Sequence, residues 1–432
     1  MEHLSAILLA LSIVIFGVCI FFVLYRPSKI VVASVPVVGA VLTFLLGISG
    51  PGTFLAVINV VWNPTVTLIA IIIFSLVMDE AGFFRYSAII LARRSGGKIS
   101  YLFLILMGLT AVIAAFFTND GAVLIMTPIV FSFLKEIKAD RSLYLTFLIS
   151  AGFISDTGSV PLLISNLVNI ITAGYFGVDF VQYAARLVLP GIAASAFSIM
   201  VLWIYFRKSL KGNFKVSELE SPESAIKDKL LVRIALPATA GLVLAYAVGS
   251  VYGFPIAIIA FPSSLFFLAL SVLRGNVKVR AILVQAPWHI VILSVGLYMI
   301  LFGMADQGLS SMLGSVLQSV STAPLLQSVI LSGLIFTAFS ASMNNLPSVM
   351  LGNLSIKSAG NLGYLMPVNV IANDIGPKLT PIGSLATLLW FDRLSSRENY
   401  RITYREYSKV GVVITMPVLI LTLLVYWLTL IL

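Results

Sequence analysis

Residues 155–161 read Ser155-Asp156-Thr157-Gly158-Ser159-Val160-Pro161, and residues 373–381 read Asn373-Asp374-Ile375-Gly376-Pro377-Lys378-Leu379-Thr380-Pro381. Both stretches lie between long apolar runs, and each sets a carboxylate beside Gly and Pro. Gly and Pro interrupt helical hydrogen bonding and free backbone carbonyls and amides. At membrane depth such backbone is tolerated only where it is buried in protein or lines a cavity. A kink alone needs no acid, and an intramembrane acid marks a functional site by default. Two acids in matched breaks, one in each half of the chain, predict a carrier with its site near the membrane midplane.

Composition agrees with a membrane setting. The 432 residues are 59% hydrophobic and only 10% charged, whereas soluble domains carry about 25% charged residues. Mean hydropathy is +1.07. The net charge of +10 gathers in a few loops, as the positive-inside rule requires, and gives no reason to invoke nucleic acid. A single cysteine, Cys19, excludes an intrachain disulfide and any multi-cysteine metal site.

Loop charge sets the expected topology. Residues 4–25 form a first span that is retained, followed by Arg26 and Lys29 in the cytoplasm, so the amino terminus lies outside. Spans at 31–46 and 57–78 come next. Arg85, Arg93, Arg94 and Lys98 on one side and Lys135, Lys138 and Arg141 on the other flank residues 99–134. That segment predicts a re-entrant hairpin with Thr118-Asn119-Asp120-Gly121 at its tip, two full crossings being the alternative. A broken helix at 143–173 and a span at 183–206 complete a first half, 1–206. The basic linker 207–233 is cytoplasmic, and 234–432 forms a second half. Arg274, Lys278 and Arg280, with the cluster from Arg393 to Lys409, put the carboxyl terminus outside. The result is an all-α polytopic membrane protein of about ten spans, two re-entrant hairpins and two broken helices.

The halves also echo one another. Trp62 with Glu80-Ala81-Gly82 answers Trp288 with Asp306-Gln307-Gly308 at a constant offset, which also carries Asn119 onto Asn345. A shorter offset carries Asp156 and Gly158 onto Asp374 and Gly376. Because the halves begin on opposite sides, they predict an inverted-topology repeat.

The polar candidates follow. Asn119 and Asp120 occupy one hairpin tip, and Asn344 and Asn345 the other. Carboxamides offer donors and an acceptor to a neutral hydroxylated solute; the plainer alternative is that they cap broken helix ends. The breaks add Thr157, Ser159, Asn166 and Thr380. Lys378 has no counterpart, since Val160 holds the equivalent place after Asp156. It lies four residues after Asp374, within reach of that carboxylate. The pair would act either as a substitute for a bound cation, responsive to protonation, or as a permanent structural ion pair. Asp156-Thr157-Gly158 spells an aspartic-protease triplet, but that motif works on a β-rich scaffold, and the Gly-x-Gly-Asp of intramembrane proteases is replaced by Ile371-Ala372-Asn373-Asp374.

Several segments resemble the arsenite permease of the arsenical-pump family, within the ion-transporter superfamily. They are Asn119-Asp120-Gly121-Ala122 with Thr127-Pro128-Ile129-Val130, Ala151-Gly152-Phe153-Ile154 leading into Asp156, and Ser165-Asn166-Leu167-Val168-Asn169-Ile170. Ser221-Pro222 with Ala225-Ile226-Lys227-Asp228, Ala286-Pro287-Trp288, Met343-Asn344-Asn345, and Gly376-Pro377-Lys378 with Thr380-Pro381-Ile382-Gly383-Ser384-Leu385-Ala386-Thr387-Leu388-Leu389-Trp390 complete the set. The Ser-Asn-Thr signature of sodium-coupled dicarboxylate carriers is replaced by Thr118-Asn119-Asp120 and Met343-Asn344-Asn345. The resemblance implies a non-enzymatic antiporter in a bacterial or archaeal cytoplasmic membrane, with no cofactor. It would export arsenite and antimonite as neutral trihydroxides in exchange for protons, in some relatives with a soluble ATPase subunit. Asn119, Asn344, Asn345, Thr157, Ser159, Asn166 and Thr380 would then bind substrate, and Asp120, Asp156, Asp374 and Lys378 would carry the proton coupling. One cysteine cannot supply the two or three thiolates of tight arsenic capture, so recognition would rest on hydrogen bonds. The alternatives are a proton- or sodium-coupled carrier for another small anion or solute, and a passive metalloid channel.

Overall fold

Apolar runs punctuated by Gly, Pro and Asn give helices that stop and restart. The computed structural model describes residues 2–25, 28–275, 279–285, 288–360, 362–397 and 400–432. Arg26, Lys278, Ala286 and Pro287, used above for topology and resemblance, lie outside them. The first half holds α1 (Glu2–Tyr25), α2 (Lys29–Leu45), α3 (Pro51–Ala81), α4 (Phe83–Arg93), α5 (Ile99–Phe117), α6 (Asn119–Glu136), α7 (Arg141–Thr157), α8 (Leu167–Phe176) and α9 (Phe180–Tyr205). After the linker come α10 (Lys229–Val251), α11 (Ile256–Leu273), α12 (Val279–Gln285), α13 (Trp288–Asp306), α14 (Leu309–Ser321), α15 (Leu325–Met343), α16 (Asn345–Ser358), α17 (Leu365–Ile375), α18 (Leu385–Arg397) and α19 (Tyr404–Ile431). No β-strand occurs among the described residues.

Eight of these helices, α1, α3, α5, α9, α10, α11, α15 and α19, are long and apolar enough to cross a membrane; α13 and α14, bent by 74°, make a ninth candidate together. The sequence count of about ten differs in membership as well as number. It admitted the interrupted spans and the short second span, now α2 of 17 residues, and it assigned α5 to a hairpin, whereas α5 is itself long and apolar enough to cross. α7 and α8 are separated by the break that follows Asp156, and α17 and α18 by the break that follows Asp374, so each piece alone is short. Many large apolar side chains of the long helices face outward, among them Leu11, Ile192, Leu244 and Phe266, as a lipid solvent allows.

The helix starts have local causes. Asp140, Asp179 and Asp228 cap α7, α9 and α10 by accepting backbone N–H bonds from Leu143, Gln182 and Leu230 at 2.8 Å each, which satisfies orphan donors of the first turn. Thr403 and Glu406 form a reciprocal capping box at α19. α3 starts earlier than the sequence suggested, because Pro51 opens it at a position where a missing N–H costs nothing.

The offset seen in sequence recurs in backbone geometry. α4, α5 and α6 begin at that same separation from α14, α15 and α16. Gly82 (φ 92, ψ 10) matches Gly308 (φ 104, ψ 0), and Thr118 (φ 105, ψ 147) matches Asn344 (φ 82, ψ 148). The halves interleave: α2 packs on α13, α3 on α11 and α9 on α19, the most extensive helix pairings in the fold.

The linker is laid back on the first half. Arg85 reaches Glu220 at 2.8 Å and Glu136 at 3.7 Å, Arg93 donates to the carbonyls of Leu219 and Glu220, and Phe214 N donates to Gly97 O at 2.8 Å. At its end, Asp228 pairs with Arg274 at 2.6 Å.

Candidate functional site

Both hairpins break at a residue whose backbone L-amino acids rarely adopt. At the first, Thr118 Oγ1 accepts from Gly121 N at 3.1 Å, so the helix restarts at Asn119. Asp120 sits in the first turn of α6, where aligned peptide dipoles favour a carboxylate. At the second, Asn344 Oδ1 accepts from Leu346 N at 3.2 Å, so its amide caps α16, the plainer of the two roles expected of it. We predict that Asn344→Ala lowers the stability of the purified protein by about 2–3 kcal/mol, from the lost cap and the positive φ. Asn344→Gly, which relaxes the backbone, should lose clearly less. Thermal unfolding in detergent measures both, and equal losses would mean that the backbone term is absent.

Each tip docks on the break of its own half. Asn119 Nδ2 donates to Asp156 Oδ1 at 3.0 Å. Asn345 N donates to Gly383 O at 2.8 Å, Asn344 Nδ2 reaches Ile382 O at 3.5 Å, and Thr380 Oγ1 donates to Ala341 O at 2.7 Å. The Asn345 carboxamide itself makes no hydrogen bond among the described residues.

The two breaks are then joined across the halves. Lys378 Nζ lies 2.7 Å from Asp156 Oδ2, with the side chains only 3% and 2% exposed. This corrects the expectation that Lys378 meets Asp374. Residues Gly376–Leu379 form a 3-10 turn that ends the helical course of α17. The ammonium leaves towards the first half, where it lies 5.6 Å from the centre of the Phe153 ring, and it also donates to Thr387 Oγ1 of its own half at 3.3 Å. Asp374 receives Asn166 Nδ2 at 2.6 Å on Oδ1, while its Oδ2 has no hydrogen-bond partner among the described residues. Each acid is therefore held by a side chain from the opposite half.

Other candidates are committed locally. Thr157 Oγ1 bonds back to the carbonyls of Phe153 and Ile154 at 3.4 Å, and Ser159 Oγ donates to Asp156 O at 2.7 Å. Ser159 also accepts weakly from Asn166 at 3.5 Å. The freed carbonyls of the first break are met by Asn169 Nδ2, to Ser159 O at 2.8 Å and Leu162 O at 3.2 Å, and by Tyr183 Oη, to Val160 O at 3.1 Å.

Sequence reading missed a buried amide ladder beside Asp374. Asn373 Nδ2 donates to Asn369 Oδ1 at 2.8 Å, Asn369 Nδ2 to Asn353 Oδ1 at 2.9 Å, and Asn353 Nδ2 to Thr172 Oγ1 at 3.3 Å. The signal was present: Asn369 and Asn373 stand one helical turn apart in an apolar helix.

The Lys378 turn is held from behind by α19. A Cβ added at Gly411 would fall 2.1 Å from Lys378 O, an atom that no rotamer change can move. Gly411→Ala should therefore displace the turn at a cost of about 1–3 kcal/mol, typical of overpacking. Gly241→Ala in α10, with nothing within 4 Å, is the control and should hold or raise stability. Equal melting points for the two variants would contradict the close packing.

Paired hairpins and broken helices, with buried acids between them, make this a multi-pass helical membrane protein built around one central polar site. The same overall fold is found in the crystal structure of the Alcanivorax borkumensis YdaH transporter, whose topology is described as unusual. The TM-score is 0.54 at 13% identity, covering 88% of this chain and 86% of that one. The family model for the arsenical pump membrane protein matches residues 11–430, and the chain belongs to that family. It is 38% identical over 413 residues to the arsenical pump membrane protein of Escherichia coli (strain K12), covering 95% of this chain and 96% of the relative. The corresponding protein of Yersinia enterocolitica is 37% identical with the same coverage. A putative arsenical pump membrane protein of Bacillus subtilis (strain 168) is 27% identical over 96% of this chain.

Proposed function

We propose that the protein exports trivalent arsenite and antimonite, as neutral trihydroxides, in exchange for protons by alternating access. The observation that carries this reading is the crossed pairing of the two breaks, Asp156 with Lys378 and Asp374 with Asn166. Two buried acids, each held by a group from the other half, are suited to sense relative movement of the halves. Asp374 Oδ2, without a hydrogen-bond partner among the described residues, is the atom best placed to take a proton or a substrate hydroxyl. The neighbouring amides of Asn119, Asn166 and Asn345 suit a neutral polyol, for which a net charge in the site would be wasted. Asp120, in the first turn of α6 next to the Asn119 that holds Asp156, supplies a further carboxylate. Asn344, Thr380, Thr157 and Ser159 serve this site by holding its backbone.

The same reading treats 1–206 and 234–432 as inverted repeats joined by the linker 207–233, supported by the matched offsets and backbone angles. It places the protein in the cytoplasmic membrane with both termini outside, supported by the basic loops. A soluble ATPase subunit acting on the cytoplasmic face belongs to the same proposal. The test is arsenite flux into inverted proteoliposomes under an imposed pH gradient. Gradient-driven uptake abolished by a protonophore is expected, and uptake indifferent to the gradient would favour a passive channel.

Recognition by hydrogen bonds makes a further prediction. Cys19 is buried, with its Sγ donating to Val35 O at 3.6 Å, in the apolar packing of α1 and α2 rather than at the polar site. Cys19→Ser should leave transport and arsenite resistance nearly intact. Loss of flux at normal expression would revive thiol capture.

A further inference from the structure

A polar cavity opens where α5 begins and α9 ends, at the other end of α5 from the hairpin tip. Its volume is about 340 Å³, and it is lined by Lys98, Ser100, Trp203, Arg207, Lys211 and Asn213, among others. Three cations face it and no carboxylate lines it. Among the described residues, none of the three has an ion pair. Lys98 Nζ does lie 5.2 Å from the centre of the Tyr101 ring.

The arrangement is built by the backbone. Residues 97–99 and 212–214 pair as a short antiparallel bridge at Lys98 and Asn213, with Phe214 N donating to Gly97 O at 2.8 Å and Ile99 N to Gly212 O at 3.3 Å. Gly97 (φ 78) permits the approach, since a Cβ there would fall 2.4 Å from Phe214 O. Holding like charges around one cavity is unfavourable unless an anion enters it. The surroundings say which anion. Tyr101 and Trp203 are 52% and 40% exposed at the ends of two membrane-crossing helices, the position at which amphipathic aromatic rings meet lipid headgroups.

We propose that this cavity binds the phosphate headgroup of an anionic phospholipid, its acyl chains lying along α5 and α9. Arg207 and the two lysines would contact the phosphate, and Trp203 and Tyr101 the glycerol level. Basic pockets between helix ends at the cytoplasmic surface bind such headgroups elsewhere.

The experiment uses the purified full-length protein in neutral detergent, titrated with short-chain phosphatidylglycerol and followed by thermal shift. Phosphatidylglycerol should stabilise it, while phosphatidylcholine and inorganic phosphate at equal concentration should not. Lys98→Gln/Arg207→Gln/Lys211→Gln should bind phosphatidylglycerol roughly a hundredfold more weakly, at about 1 kcal/mol for each cation near the surface. Lys98→Arg/Lys211→Arg, which keeps the charge, should retain most of the affinity, so a folding defect in the triple variant does not decide the matter. Lys135→Gln/Lys138→Gln, outside the cavity, should bind as the parent does. Equal stabilisation by phosphatidylcholine, or a phosphatidylglycerol response unchanged in the triple variant, would overturn the proposal. An equal response to inorganic phosphate would assign the cavity to a free anion and overturn the lipid.

Discussion

Lys378→Met should both destabilise the protein and stop gradient-driven export. The ammonium is the charged partner of Asp156 at 2.7 Å, and both side chains are almost wholly buried. Removing one member of a buried pair typically costs about 3–5 kcal/mol, because the other charge stays in a poor dielectric. What remains to the Asp156 carboxylate among the described residues is the amide of Asn119 on Oδ1. The double variant Lys378→Met/Asp156→Asn separates structure from function. Without a bare charge it should regain most of the lost stability, yet still fail to export. Melting temperature measured beside proton-driven arsenite flux gives both answers. Flux restored in the double variant would make the pair a structural strut, and a Lys378→Met protein with parental stability and flux would make Lys378 a bystander.

Asp374→Asn should behave in the opposite way, folding well and transporting poorly. The amide oxygen can still accept from Asn166 Nδ2 at 2.6 Å, and the shape is nearly unchanged. Replacing a buried acid by its amide also removes a desolvation cost, so melting temperature should hold or rise. Coupled export should fall to background, because the group proposed to exchange protons is gone. Arsenite exchange without a gradient can survive, which distinguishes lost coupling from lost binding. Normal gradient-driven rates in Asp374→Asn would remove this acid from the coupling, and Asp120 becomes the next carboxylate to test.

Local chemistry made the hairpins and breaks readable in the sequence. Gly158 and Gly376 end their helices, with Pro161 and Pro377 just beyond, whereas prolines such as Pro64 and Pro190, set in apolar surroundings with no acid beside them, lie inside continuous helices. Asn344 caps the helix that follows it. The matched offsets were equally readable, since they depend only on spacing. Partner choice was not. Lys378 is four residues from Asp374 in sequence, but a 3-10 turn intervenes and the ion pair forms with Asp156 in the other half. Only the packing of the two halves decides that contact. The hydroxyls of Thr157 and Thr380 looked free for a ligand, yet each bonds a backbone carbonyl, a competition that composition does not reveal. Asn353 and Asn369 of the ladder lay in a run read as apolar, and Asn373, quoted at the edge of the break, was given no partner there.

The crossed partners have a consequence for how the chain is made. Asn166 and Asp374 are 208 positions apart, and Asp156 waits for a lysine still further along. At about 5–20 residues per second, roughly 10–40 s of synthesis separate the two members of each pair. During that interval the first half leaves the ribosome and enters the bilayer with its acid lacking its final counter-ion. Asn119, one hairpin earlier in the chain, is already available to Asp156. The hairpin tip thus serves as a provisional escort for the carboxylate during biogenesis, before the ammonium arrives to complete its coordination.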